Sequence, residues 1–385
     1  MSGVFNMHIK IEKEKLLSGL NFVMGAVERR HTLAILANVK VTVADDQLIL
    51  VGSDLEVQLV AKIPLNGEVL ATGETTIPAR KLLDICKALP NDALVDLKCD
   101  EKEHRCVIKS GKSRFSLGTF SAQDYPLLTS STAPQVATVD AHALKRLFTL
   151  TSPSMAVQDV RFYLTGTLIE LSENNLSVVA TDGHRLSLGK TEIQYSGDQT
   201  QSIVPRKGVS ELQRLLALAD SKIDLLLGAD LLNVNVNIPL SKANAETITV
   251  EFTTKLIDGK FPDYRRVIPR NNLSVILNPD DLKSSLIRVA TVSNEKLRGI
   301  RLVFTQGSLQ LRSNNTENDE AVEDLAVEYS GKDVEVAINV QYLLDVLSVF
   351  GGASLEMLLG EGNAAILIVE PNNDNESYVV MPMRL

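Results

Sequence analysis

One strand-and-helix pattern occurs three times in this chain, and no other feature restricts the fold as much. The alternating stretch Met7-His8-Ile9-Lys10-Ile11 runs into an apolar-periodic helix through Leu16, Leu20, Val23 and Val27. The arrangement returns at Val136 to Val139 with Leu144, Leu147 and Phe148, and again at Leu273 to Leu277 with Leu282, Leu286 and Ile287. Leu16, Leu144 and Leu282 are 128 and 138 residues apart. A second element recurs at matching spacing: Thr76-Ile77-Pro78-Ala79-Arg80-Lys81 resembles Ile203-Val204-Pro205-Arg206-Lys207, and the third copy, Val336-Ala337-Ile338-Asn339-Val340, has Asn339 where the others have proline. Proline suits a helix start because its missing N–H is unpaired in the first turn anyway. A third element, Leu48 to Asp54, matches Leu176 to Asp182 and Leu309 to Asn315.

Period-two strands with one early and one central helix in each copy predict an α+β fold of antiparallel sheets with two helices per domain. The predicted domains span residues 1–132, 133–271 and 272–385. A chain of 385 residues exceeds what one hydrophobic core usually serves, which agrees with this division.

Within the second copy, Val178-Val179-Ala180-Thr181-Asp182-Gly183-His184-Arg185-Leu186 puts a carboxylate, an imidazole and a guanidinium around a turn. Two readings are open from residue types. Asp182 and His184 could do acid–base work, as in a hydrolase; or Asp182 caps a β-turn and the other two point at a neighbour. No nucleophile elbow, phosphate-binding loop or metal-ligand spacing accompanies the pair, and the first copy, Gly52-Ser53-Asp54-Leu55, lacks the His and Arg.

Cys86, Cys99 and Cys106 are odd in number with no CxxC spacing, which argues against a disulfide framework and a zinc site. The five His are scattered, so neither metal nor cofactor is expected. No run of eighteen apolar residues suggests a membrane span, and no basic-then-apolar leader opens the chain, so the expected location is cytoplasmic.

A net charge of −9 points away from nucleic acid when taken alone. Its distribution says otherwise. The six predicted helical stretches (8–30, 79–90, 140–155, 206–220, 279–298 and 339–350) hold 17 Lys and Arg against 11 Asp and Glu, out of 39 and 48 in the chain. That basic layer includes Lys13, Arg29, Arg30, Arg80, Lys81, Lys145, Arg146, Arg206, Lys207, Arg214, Lys283, Arg288, Lys296 and Arg298. A basic helical layer inside an acidic exterior suits sequence-independent, salt-sensitive phosphate contact; solvated helix faces would give the same count.

With three repeats, Thr181 to Leu186, Val204 to Gly208, Asp258 to Val267, Gln158-Asp159-Val160-Arg161, Ser293 to Lys296 and the terminal Met381-Pro382-Met383-Arg384-Leu385, the chain from Met7 to Leu385 resembles the β sliding clamps of bacterial DNA polymerase III. The resemblance implies a non-catalytic processivity factor: a head-to-tail homodimer closing into a six-domain ring around nucleoid DNA. It implies DNA contacts at Arg30, Arg80, Gln158, Phe162, Tyr163, Arg206 and Lys207, with Phe162 where a Tyr is expected. It also implies a hydrophobic pocket for short linear peptides of the polymerase III catalytic subunit, the clamp loader, other DNA polymerases and repair proteins. Its implied walls are Leu164, Thr181, Gly183, His184, Arg185, Leu186, Pro262, Arg266, Val267, Asn339, Tyr342, Val379, Met381, Pro382, Met383 and Arg384. Adaptable methionines and a few polar groups suit such a role; Asn363 and Ala365 depart from the family at its lip.

For the dimer, Phe115 and Leu117 with Lys109, Lys112 and Arg114 make a basic strand with an apolar centre in the first domain. The third domain offers Val292 and the acidic run Glu317, Asp319, Glu320, Glu323 and Asp324. Opposite signs at opposite ends of one chain suit a head-to-tail contact.

Overall fold

The computed structural model describes residues 6–27, 33–65, 68–129, 134–240, 246–294 and 297–384. The first repeat runs β1 (Asn6–Glu12), α1 (Lys13–Val23), β2 (Asn38–Ala44), β3 (Gln47–Ser53), β4 (Val57–Pro64), β5 (Glu68–Ala71), β6 (Gly73–Pro78), α2 (Ala79–Ala88), β7 (Leu94–Asp100), β8 (Arg105–Ser110) and β9 (Ser113–Gly118). The second runs β10 (Gln135–Asp140), α3 (Ala141–Thr151), β11 (Gly166–Ser172), β12 (Asn175–Thr181), β13 (Arg185–Glu192), β14 (Thr200–Pro205), α4 (Arg206–Leu216), β15 (Lys222–Leu227), β16 (Leu231–Pro239) and β17 (Thr247–Lys255). The third runs β18 (Leu273–Leu277), α5 (Pro279–Ala290), β19 (Gly299–Thr305), β20 (Ser308–Asn314), β21 (Glu320–Ala326), β22 (Val334–Asn339), α6 (Val340–Val349), β23 (Leu355–Leu359), β24 (Ile366–Glu370) and β25 (Asn373–Val380). Among the described residues, each repeat thus carries antiparallel strands and two α-helices.

Local chemistry accounts for the helix starts. Pro78 and Pro205 stand immediately before α2 and α4, while Asn339 caps α6 by accepting from the Gln341 N–H at 2.9 Å. An Asn can do with a side-chain oxygen what proline does by lacking a donor. In α1 the buried face is Lys13, Leu16, Leu20 and Val23. Each fully buried aliphatic side chain of that kind stabilises by about 1.5–3 kcal/mol.

The strands form four sheets, ordered β5-β1-β7-β8-β9, β10-β15-β16-β17-β4-β3-β2-β6, β14-β11-β12-β13-β25-β24-β23-β18, and β21-β20-β19-β22. The chain divides into two compact units: Met1–His142 with Ser210–Leu256, holding the first two sheets, and Ala143–Val209 with Ile257–Leu385, holding the other two. These units do not follow the repeats, and the reason is strand pairing. In the first unit β17 of repeat two pairs with β4 of repeat one, from Thr249↔Lys62 to Thr254↔Val57. In the second unit β25 of repeat three pairs with β13 of repeat two, from Arg185↔Val380 to Gly189↔Glu376. Repeats therefore join through continuous sheets, last strand of one to third-hairpin strand of the one before. The two equivalent strands left at sheet edges are β9 and β21.

Two sequence readings need correction. Cys99 and Cys106 are joined by a disulfide, with only Cys86 free and buried. They are directly opposed partners of the β7–β8 hairpin. The odd count hid the pair because one cysteine is a core residue. Lys13, placed in the basic layer, is 4% exposed and donates Nζ to Leu89 O at 2.8 Å and to Asn91 Oδ1 at 3.2 Å.

Candidate functional site

The turn at Asp182 is shaped by its own carboxylate. Asp182 Oδ1 accepts from the backbone N–H groups of His184 (2.9 Å) and Arg185 (3.0 Å), and Oδ2 accepts from Arg185 Nε at 3.1 Å. Thr181 Oγ1 accepts from the Gly183 N–H at 3.1 Å. Gly183 sits at φ +88°, where a side chain is strained, and an added Cβ would meet Arg161 Nη1 at 2.9 Å. Asp182 is thereby engaged in turn geometry and in holding Arg185. The chemistry is that of a capped turn between β12 and β13, with the Asp182 carboxylate bonded to the turn and to Arg185.

Beside this turn lies a cavity of about 260 Å³ lined by Arg161, Tyr163, Leu164, Thr181, Gly183, Arg185, Leu186, Pro262, Asp263, Tyr264, Val267, Val379 and Met381. Its floor belongs to a buried cluster that includes Leu164, Leu168, Val179, Leu186, Leu188, Phe261, Tyr264 and Val379. Sheet pairing builds it: β13 places Leu186 opposite Val379 of β25. The chain end is tied down by Met381 N–H to His184 O (2.8 Å) and Met383 N–H to Ala337 O (2.8 Å). An apolar, partly enclosed hollow with a few convergent polar groups is a docking site for an apolar anchor.

Nine of the sixteen expected pocket residues line this hollow: Leu164, Thr181, Gly183, Arg185, Leu186, Pro262, Val267, Val379 and Met381. Others build a neighbouring patch. His184 stacks on Tyr342 with ring centroids 6.2 Å apart and planes 16° from parallel. The Arg185 guanidinium lies 4.6 Å from the Tyr342 centroid and pairs with Asp345. Burial, and then the Asp182 charge, raise the Tyr342 pKa. Asn339 acts as the α6 cap rather than as lining. Arg266 points outward, pairing with Asp263 at 3.0 Å, and Pro382, Met383 and Arg384 do not line the cavity.

Sequence reasoning missed Arg161, Asp263 and Tyr264, and assigned Tyr163 to DNA where it also forms cavity wall. Arg161 reaches the turn by donating Nη2 to Asp182 O at 3.0 Å, while its own Asp159 holds it at 2.7–3.0 Å. Those hydrogen bonds lower the Asp159 pKa to about 2. The motif Gln158 to Arg161 carried the signal.

The expected DNA residues are spread along both units. Arg80, Gln158, Phe162 and Arg206 are exposed, and Lys207 is half-buried. Arg206 donates Nη2 to Met155 O at 2.7 Å, and burial, followed by the Arg185 charge, lowers its pKa. Arg30 lies outside the described residues, as do Arg29 and Lys296. Several basic helix residues are paired within the chain: Arg146 with Glu376 (2.8 Å), Arg214 with Glu211 and Phe22 O, and, at the surface, Arg288 with Glu323 (2.6 Å). The charge count thus overstated the free basic layer. Of the expected dimer residues, Lys109, Lys112, Arg114, Glu317, Asp319 and Glu320 are exposed and Phe115, Leu117 and Val292 half-buried. Among the described residues no cluster of His, Cys, Asp or Glu could hold a metal, and no helix is long and apolar enough to cross a membrane.

Family models for the DNA polymerase III beta subunit match the chain throughout: the N-terminal domain over residues 7–129, the central domain over 138–263 and the C-terminal domain over 265–384. The beta sliding clamp of Pseudomonas putida is 44% identical over 381 residues, covering 98% of this chain and 100% of that protein. That of Escherichia coli K12 is 40% identical over 380 residues with the same coverage. Among solved structures, DNA polymerase III subunit beta from Pseudomonas aeruginosa superposes with a TM-score of 0.91 at 43% identity, covering 98% of this chain and all of that one. A sliding clamp from the same organism bound to griselimycin gives 0.90 at 43% over the whole of both chains. The chain belongs to the DNA polymerase III beta subunit family, the beta sliding clamps, which serve processivity rather than catalysis.

Proposed function

We propose that this clamp closes as a head-to-tail ring of two chains around duplex DNA and holds replication and repair proteins by short linear peptides seated in the cavity beside Asp182. The ring would keep itself on DNA by topology, so weak phosphate contacts from Arg30, Arg80, Gln158, Phe162, Tyr163, Arg206 and Lys207 suffice and leave it free to slide. We place it in the cytoplasm, on nucleoid DNA, with domains dividing near residues 132 and 271.

The observation that carries the ring is the strand pairing between repeats. Two junctions of one kind, β17·β4 and β25·β13, lie within the chain, and the two strands that would make the third, β9 and β21, are unpaired edges. Such edges are templates for another chain. Repeat equivalence sets the register. The isolated bridges Thr76↔Phe120 and Ile203↔Ile257 equate Phe120 with Ile257, hence Phe115 with Phe252. Hairpin pairing equates Leu59 with Ala321, since Ser53↔Gln58 matches Asn314↔Glu320. Because Phe252 faces Leu59, Phe115 would face Ala321 of the second copy, with Ser113 opposite Glu323. The half-buried residues of both strands then share one face. In this register Arg114 lies diagonal to both Glu320 and Asp324, so the basic edge of Lys109, Lys112 and Arg114 in one chain would run beside the acidic run of Glu317, Asp319, Glu320 and Asp324 in the other, with Val292 nearby.

The pocket reading is tested by titrating a fluorescein-labelled peptide ending in Leu-Phe against the clamp and its Met381→Ala variant. Saturable binding that weakens in the variant supports it. Equal affinity for both overturns it.

A further inference from the structure

We infer that Glu170, buried beneath the cavity and in contact with none of its space, is a positioning residue that holds the Tyr264–Arg265 wall in its peptide-binding form; this rests on the reading of the cavity as a peptide site. Glu170 is 2% exposed on β11, a strand whose other described residues from Gly166 to Leu171 are also buried. A carboxylate in such a place is costly unless every oxygen is paired. Its partners come from two places. Gln201, its cross-strand neighbour on β14, donates Nε2 to one oxygen. Arg265 Nη2 and the Tyr264 hydroxyl (3.3 Å) donate to the other.

The second pair matters because of where it sits. After β17 and the Ile257 bridge the chain runs to β18 without joining a strand ladder. The short turn at Tyr264 bonds to itself, through Arg266 N–H to Asp263 O (3.3 Å) and Val267 N–H to Tyr264 O (3.2 Å). Those bonds do not tie the turn to the sheet; Phe261 and Tyr264 pack into the buried cluster, and a polar tie has to come from elsewhere. Glu170 supplies that link, as a rigid strand residue gripping two adjacent side chains of the turn. The Arg265 guanidinium also lies 4.5 Å from the Tyr264 ring centroid, so one carboxylate sets both groups. Tyr264 then presents its ring to the cavity beside Pro262 and Val267. A wall held in place before the peptide arrives spares the cost of ordering it on binding.

The test uses the full chain and the labelled Leu-Phe peptide above. Arg265 is half-exposed, with 53% of its side chain accessible, so Arg265→Gln is the variant expected to fold normally. Glu170→Gln and Arg265→Gln should each weaken the peptide about tenfold, on the order of one charge-assisted hydrogen bond. The double variant should lose no more than either single one, because the pair acts as a unit. Glu376→Gln, which breaks the Arg146 pair away from the cavity, should lower thermal stability and leave peptide affinity within twofold. Wild-type affinity in Arg265→Gln, or equal losses in Glu170→Gln and Glu376→Gln, overturns the inference. Met381→Ala separates the two claims: if it weakens the peptide while Arg265→Gln does not, the cavity reading stands and the positioning role falls. If neither weakens it, the cavity reading itself is wrong.

Discussion

Replacing Phe115 by Ala should open the dimer without unfolding the chain. Phe115 is half-buried on the edge strand β9, so the monomer loses only part of a phenyl contact. Its repeat equivalent shows what the closed interface would do to it: Phe252 on β17, opposite Leu59 of β4, is 0% exposed. Truncating a fully buried Phe costs about 3–5 kcal/mol. With part of that burial already present in the monomer, about 2 kcal/mol falls on each interface. A head-to-tail ring has two identical interfaces, so dissociation to monomers is favoured by about 4 kcal/mol, or roughly a thousandfold in Kd. Sedimentation velocity over a dilution series reads this directly, with far-ultraviolet circular dichroism confirming the fold. A Kd within threefold of the parent protein would refute both the register and the equivalence of β9 with β17.

Charge gives a second route to the same interface: the double change Glu317→Lys, Glu320→Lys reverses part of the acidic run that faces the basic edge of Lys109, Lys112 and Arg114, and dilution should dissociate it at concentrations where the parent stays dimeric; an unchanged dimer at low salt would contradict the pairing. His184→Ala removes a stacked partner of Tyr342, a contact of about 0.5–1.5 kcal/mol, so Leu-Phe peptide binding measured by fluorescence anisotropy should weaken two- to tenfold with thermal stability little changed. Alkaline pH should destabilise the fold. Burial raises the Cys86 pKa from 9.0 and the Tyr264 pKa from 10.0, each to about 12, and raises Tyr125 and Tyr378 further. Each favours the protonated form when folded, so its stabilisation is full below the unfolded value and is lost as pH rises through the folded one. Urea midpoints should fall steadily above about pH 9, and a flat profile to pH 11 would contradict the burial of these groups.

Much of this was legible in the chain because repetition makes patterns visible. Leu16, Leu144 and Leu282 mark equivalent helices, and Pro78, Pro205 and Asn339 mark equivalent helix starts. The joining of repeats was not legible, since which edge of β4 or β13 meets a later strand depends on hydrogen-bonding direction, and side-chain alternation does not report that. Lys13 was misread by type, although its spacing to Leu16, Leu20 and Val23 places it on the buried face of α1. Arg146 and Arg288 counted as free charge for the same reason: a sequence shows a cation but not the carboxylate waiting for it 230 or 35 residues away. At the cavity, the residues of Thr181 to Leu186 and the terminal Val379 and Met381 could be named in advance, because they sit in compact motifs. Tyr264 escaped because its role depends on Glu170, and β11, buried along both faces, offers no alternation that would single that carboxylate out.

The most direct test of the central claim is retention after loading onto plasmid. Loaded by clamp loader and ATP onto nicked circular DNA, the protein should co-elute with the circle through gel filtration at moderate salt and be lost once a restriction enzyme linearises it, because a closed ring slides off an end. Equal retention on circular and linear DNA would mean a groove binder held by phosphate contacts, and would contradict encirclement.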